Sequence, residues 1–175
     1  MSDTNSPREW RAELSAATDA SQIVAVLQEL SAHEDVRGIA RQCLDLLSHK
    51  DSNVRLWASE VLESAARPTA DETQELTNYL DGLLDQQAAS SKKKFVWPGT
   101  QPAEPDADSA GNEKENSLRA DQMYWAATML GRIGPDAASA DVVLARLEGL
   151  AQDAGAAPFH DAAARAKVMR TRCTS

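Results

Sequence analysis

Residues 36–47, VRGIARQCLDLL, and 54–65, VRLWASEVLESA, align without a gap, pairing Val36 with Val54, Arg37 with Arg55, Ala40 with Ala58 and Leu44 with Leu62. A third stretch, QMYWAATMLGRI at 122–133, superposes on the second through Trp57/Trp125, Ala58/Ala126 and Leu62/Leu130. Such repetition marks a fold built by stacking copies of one unit. One long helix would also bring back the same face after an offset of 18 residues (54 − 36), which is five turns. The polar linker SHKDSN at 48–53 argues for two helices instead, because Asp51 and Ser52 are good N-caps for a helix starting near Asn53.

Within the second copy, Val54, Trp57, Ala58, Val61, Leu62 and Ala65 share one helical face, which is the expected core face. Equivalent faces are Ile23, Val26, Leu27 and Leu30; Leu76, Leu80, Leu83 and Leu84; and Val143, Leu144, Leu147 and Leu150. Pro68 and Gly134-Pro135 read as helix ends. The pattern predicts helices at about 8–17, 19–31, 34–48, 52–66, 71–88, 118–133, 139–153 and 158–171. They pair naturally into an all-α solenoid of about four antiparallel hairpins. Composition agrees: 31 alanines and 17 leucines against 5% aromatics favour helix over strand.

Two composition changes divide the chain. Residues 1–88 carry 7 basic and 16 acidic side chains, net −9, and 118–175 carry 7 and 6, net +1. Residues 89–117 hold three prolines, two glycines and few aliphatics, which reads as a disordered insertion within one solenoid. The first residues, MSDTNSPREW, lack the apolar run of a signal peptide, and no stretch approaches the roughly 18 apolar residues of a membrane span. With Cys43 and Cys173 far apart in sequence, the expectation is a reduced, cytoplasmic protein.

The motif LLSHKDSNVRLWASEVL at 46–62 resembles HEAT-type repeats, including the shorter HEAT-like variety of bilin lyases, through Leu46, Leu47, Asp51, Val54, Arg55, Ala58 and Leu62. WAATMLGRIGP at 125–135 is similar to the end of the repeat's second helix through Leu130, Gly131, Ile133 and Gly134. Ser52 stands where the family usually has a turn proline, and Gln122-Met123 replace its Val-Arg. The resemblance covers about half of the chain. It implies a stack whose second helices line an inner, partner-binding face, and it speaks to fold more than to function.

Signals for chemistry are sparse. His33-Glu34 and His160-Asp161 begin with a histidine, as do the iron-binding His-Glu pairs of HEAT-like deoxyhypusine hydroxylases, but one true His-Glu cannot supply converging ligands from several helices. Cys43 falls on an apolar face with Ile39, Ala40, Leu44 and Leu47, whereas Cys173 falls in what reads as a frayed tail. No nucleophile triad, phosphate loop or zinc spacing occurs. The expectation is therefore no enzyme, no metal and no cofactor. Arg165, Lys167, Arg170 and Arg172 read as solvated cations near a helix end, and the net charge of −9 opposes nucleic-acid binding.

Two features point to a protein partner. Phe95, Val96 and Trp97 interrupt a polar segment directly after Lys92–Lys94, available for a partner or for docking on the same chain. Helix geometry sets Leu56 opposite the core beside Ser59, Glu60 and Glu63, with Tyr124 as its register equivalent. If exposed, Leu56 and Tyr124 form a recognition strip with an acidic rim; if covered by an adjoining helix, they are packing residues. The expected function is a non-catalytic scaffold or adaptor binding a basic protein surface. The alternatives are a HEAT-like lyase or accessory enzyme and a nucleic-acid binder.

Overall fold

The computed structural model describes residues 7–92, 108–150 and 157–174. Among them the chain is all-helical, with α1 (Pro7–Ala16), α2 (Ala20–Ser31), α3 (Ala40–Leu46), α4 (Ser52–Ser64), α5 (Thr73–Lys92), α6 (Asp108–Ile133), α7 (Asp141–Gly149) and α8 (His160–Thr174). No helix among the described residues is long and apolar enough to cross a membrane.

Local chemistry sets several of the boundaries. The Asp19 carboxylate accepts the Gln22 N–H at 3.0 Å, and Asp51 accepts those of Asn53 and Val54 at 2.8 and 3.3 Å, so both acids cap the helices that follow them. Thr69 and Glu72 form a capping box on the 3-10 turn Ala70–Glu72 ahead of α5. Gly134, in the left-handed region, ends α6.

The third helix is shorter than the expected 34–48. Gly38 adopts φ +75°, which breaks the helix before Ala40. The backbone ahead of it pairs elsewhere: the Val36 N–H donates to the Ala65 carbonyl at 3.0 Å and the Arg67 N–H to the Val36 carbonyl at 2.9 Å. The buried Glu72 carboxylate accepts from the Gly38 N–H at 3.3 Å, holding this bend on the turn before α5. The expected disordered insertion is also corrected at both ends, since α5 runs through 89–92 and α6 covers 108–117. Residues 93–107, with Phe95, Val96 and Trp97, lie outside the described residues.

The expected faces supply one core. Leu27, Leu30, Leu44, Val54, Val61, Leu62, Leu76, Leu80, Met123, Leu130, Leu144 and Leu147 are fully buried in a single cluster. Helix α2 packs on α4, α3 on α4, α5 on α6, and α6 and α7 on α8, while α3 and α4 reach α6 and α5 reaches α7. The faces of α4, α6 and α8 that point away from this core carry the candidate site.

Candidate functional site

On α4, Leu56 is 61% exposed, with Glu60 and Glu63 exposed beside it. Trp57, expected in the core, is half-buried against it. Tyr124 on α6 behaves differently from Leu56. It is half-buried, meets Trp125 edge-on at 5.4 Å between ring centroids and 88° between planes, and carries the Arg165 guanidinium 5.2 Å from its ring centre. Arg165 Nε also donates to the Thr128 hydroxyl at 2.9 Å, and that hydroxyl donates to the Tyr124 carbonyl at 2.8 Å. Tyr124 therefore belongs to a groove of about 620 Å³ between α6 and α8, lined also by Asp121, Trp125, Asp161, Arg165 and Val168. Leu56, Glu60 and Glu63 are outside its lining. Val168 is 51% exposed and Asp121 is exposed beside the groove, where neighbouring protein atoms displace enough water to push its carboxyl above its ordinary range. Sequence reasoning missed this groove because it exists only once α8 lies along α6.

A second cleft, of about 630 Å³, opens between α3, α5 and α6. Its charges are already engaged. Arg41 pairs with Asp45 and lies 4.0 Å above the Tyr79 ring, and the buried Arg119 donates to Glu115 at 2.5 Å and to Gln87 at 2.9 Å. Burial, and then Asp45, push the Tyr79 phenol up, while its hydroxyl donates to the Leu44 carbonyl at 3.2 Å. The bonds from Arg119 to Gln87 and from Tyr79 to Leu44, with Arg41 over the Tyr79 ring, tie α3, α5 and α6 together at this joint.

The reactive side chains have structural surroundings. His49 Nδ1 accepts the Asp51 N–H at 3.1 Å inside the α3–α4 turn, and His33 lies against Trp10 at 5.4 Å. His160 is exposed at the start of α8. No group of three or more His, Cys, Asp or Glu side chains able to hold a metal occurs among the described residues. Cys43 is fully buried and burial pushes its thiol up to about 12, which suppresses thiolate chemistry near neutrality. Cys173 corrects the expected frayed tail: α8 continues past it and buries it to 1% exposure, with the thiol donating to the Leu130 carbonyl at 3.6 Å.

The C-terminal cations are likewise more engaged than their sequence position implied. Arg170 bridges to Asp141 and Glu148 of α7, both at 2.8 Å, and the Arg170 hydrogen bond holds the Asp141 carboxyl below its usual range. Lys167 and Arg172 are exposed. Comparison with protein-family models, with curated proteins and with solved structures gives no match to this chain.

Proposed function

We propose that the eight helices form a short two-layered solenoid of four antiparallel pairs, and that it works in the cytoplasm as a non-catalytic binding module for a protein with a basic surface. Helices α2, α4, α6 and α8 make one layer and α1, α3, α5 and α7 the other. The register supports this: segments 54–65 and 122–133 are offset by 68 residues (122 − 54), and Arg132 at the end of α6 bonds to Leu62, Glu63 and Ala66 at the end of α4. Repeats stacked in parallel bring equivalent helix ends together in this way.

The observation that carries the functional reading is Leu56, 61% exposed on a helix whose neighbouring exposed side chains, Glu60 and Glu63, are acidic. An apolar residue inside an acidic rim offers a contact that excludes water, while the rim selects cationic partners. The excess of 16 acidic over 7 basic side chains in residues 1–88 acts in the same direction.

Serine substitution tests the reading. Leu56→Ser leaves the melting temperature within the range of a neutral surface change, about 0.5 kcal/mol, whereas Tyr124→Ser lowers it because that ring is half-buried against Trp125 and Arg165. In affinity capture the wild-type chain retains basic proteins at low salt and loses them as salt screens the rim, and Leu56→Ser retains less. A captured set that is acidic and indifferent to salt overturns the proposal, as does a Leu56→Ser protein that unfolds.

A further inference from the structure

We infer that the groove between α6 and α8 is the anchor site of this binding face and takes a lysine or arginine side chain of the partner, with its alkyl stem along Tyr124, Trp125 and Val168 and its cation between Asp121 and Asp161. The inference rests on the basic-partner reading above and adds the site at which the cation is read.

The walls suit such a side chain. Tyr124 and Trp125 line the groove together, with Arg165 over the Tyr124 ring, and Val168, 51% exposed, adds an aliphatic flank. Lysine and arginine are apolar along the stem and charged at the tip, and they bind where an apolar wall ends in a carboxylate. A cation near an aromatic face gains further from the ring quadrupole.

The charges leave one sign unanswered. Arg165 is committed within the molecule, bonded to Thr128 and stacked on Tyr124. Asp121 and Asp161, which line the same groove, have no ion pair with any described residue. Asp161 sits in the first turn of α8, where a carboxylate complements the helix dipole. Asp121, exposed at the groove's rim, has no such role in the middle of α6, and partial desolvation raises its pKa, a penalty that an arriving cation offsets. The cleft between α3, α5 and α6 makes the contrast: Arg41 and Arg119 there already occupy Asp45 and Glu115, leaving no carboxylate to recruit a guest.

The test titrates the nitrogen-15-labelled full chain with Nα-acetyl-lysine N-methylamide, and in parallel with the norleucine and glutamate amides. The lysine amide is expected to shift the Trp125 indole N–H and the Asp121 and Asp161 amides with a dissociation constant on the order of 1 mM, as befits so small a ligand. Norleucine, which keeps the stem and lacks the charge, binds roughly tenfold more weakly. Asp121→Asn weakens the lysine amide roughly threefold or more at an unchanged melting temperature. Equal binding of norleucine, preference for glutamate, or no movement of the groove each overturns the inference. Lysine-specific shifts confined to Leu56, Glu60 and Glu63 overturn the groove as anchor yet leave the basic-partner reading standing, so the two failures are told apart.

Discussion

The absence of one β-carbon, at Gly131, sets how closely α6 and α8 approach. A Cβ built there would lie 2.0 Å from Met169 Sδ, 2.7 Å from its Cγ and 2.8 Å from its Cβ. The methionine tip can swing aside, but its Cβ is fixed to the α8 backbone, so an added methyl forces the helices apart. Alanine improves helix propensity by about 1 kcal/mol, against about 1–3 kcal/mol for overpacking a tight site. Gly131→Ala therefore lowers stability by up to about 2 kcal/mol, read from the urea midpoint. Met169→Ala made in the same chain removes the Sδ and Cγ contacts and leaves only the one to Cβ at 2.8 Å, so it relieves the clash in part and the double variant is more stable than the two single losses predict; simple additivity would refute the contact. Gly131 was visible in the sequence as a repeat-like glycine, whereas the methionine that requires it lies 38 residues further on (169 − 131) and becomes its neighbour only through folding. Leu56 and Tyr124 divide similarly: the helical wheel places Leu56 outside, but only α8 explains why its register equivalent is half-covered.

Helix α4 was the most legible element, because its capping acid and its apolar stripe lie within one short stretch. Asp51→Ala removes the acceptor for two orphan N–H groups, at Asn53 and Val54, and is expected to lower stability by about 1 kcal/mol. Asp51→Asn, which keeps an oxygen acceptor, loses less, and faster amide exchange at Asn53 and Val54 in the alanine variant localises the effect. Equal losses for alanine and asparagine would show that the cap bonds are not the cause. Helix α3 was misjudged because its apolar spacing continues back to Val36 while the backbone does not. Its first expected turn is drawn into pairing with Ala65 and Arg67, and the Arg11 guanidinium bonds to the Gly38 carbonyl. No local pattern encodes partners about 30 residues away. The helical stretches 89–92 and 108–117 escaped notice for the opposite reason. Their composition is too polar to bury a face, yet α5 and α6 pair alongside each other, tied by the bond from Arg119 to Gln87.

Between α1–α4 and α5–α8 runs a seam that the single apolar core crosses and that side chains of the second half bridge by bonding to helix ends of the first. A helix leaves its last carbonyls without partners of its own. At the end of α3, the Leu44 carbonyl accepts from Gln122 and Tyr79, both at 3.2 Å. At the end of α4, Arg132 donates to the carbonyls of Leu62, Glu63 and Ala66. Gln122 is buried, so its bond is shielded from competing water, while Arg132 offers a planar fork that one lysine cannot reproduce. In the stacked arrangement proposed above, stability is approximately a sum over units and the interfaces between neighbours, so weakening one interface decouples what lies on either side. Replacing two of these three donors with methionine, Gln122→Met and Arg132→Met, keeps comparable bulk, strips the Arg132 bonds from the end of α4 and leaves the end of α3 only its bond from Tyr79 across the seam. The expected result, read by hydrogen exchange with mass spectrometry, is a selective loss of protection in α1–α4, with α5–α8 retaining theirs through the α6–α8 and α7–α8 contacts. Arg132→Lys alone should move the same way by a smaller amount. If protection instead falls evenly through all eight helices, the seam is no weaker than the interfaces around it, and the molecule opens as one unit.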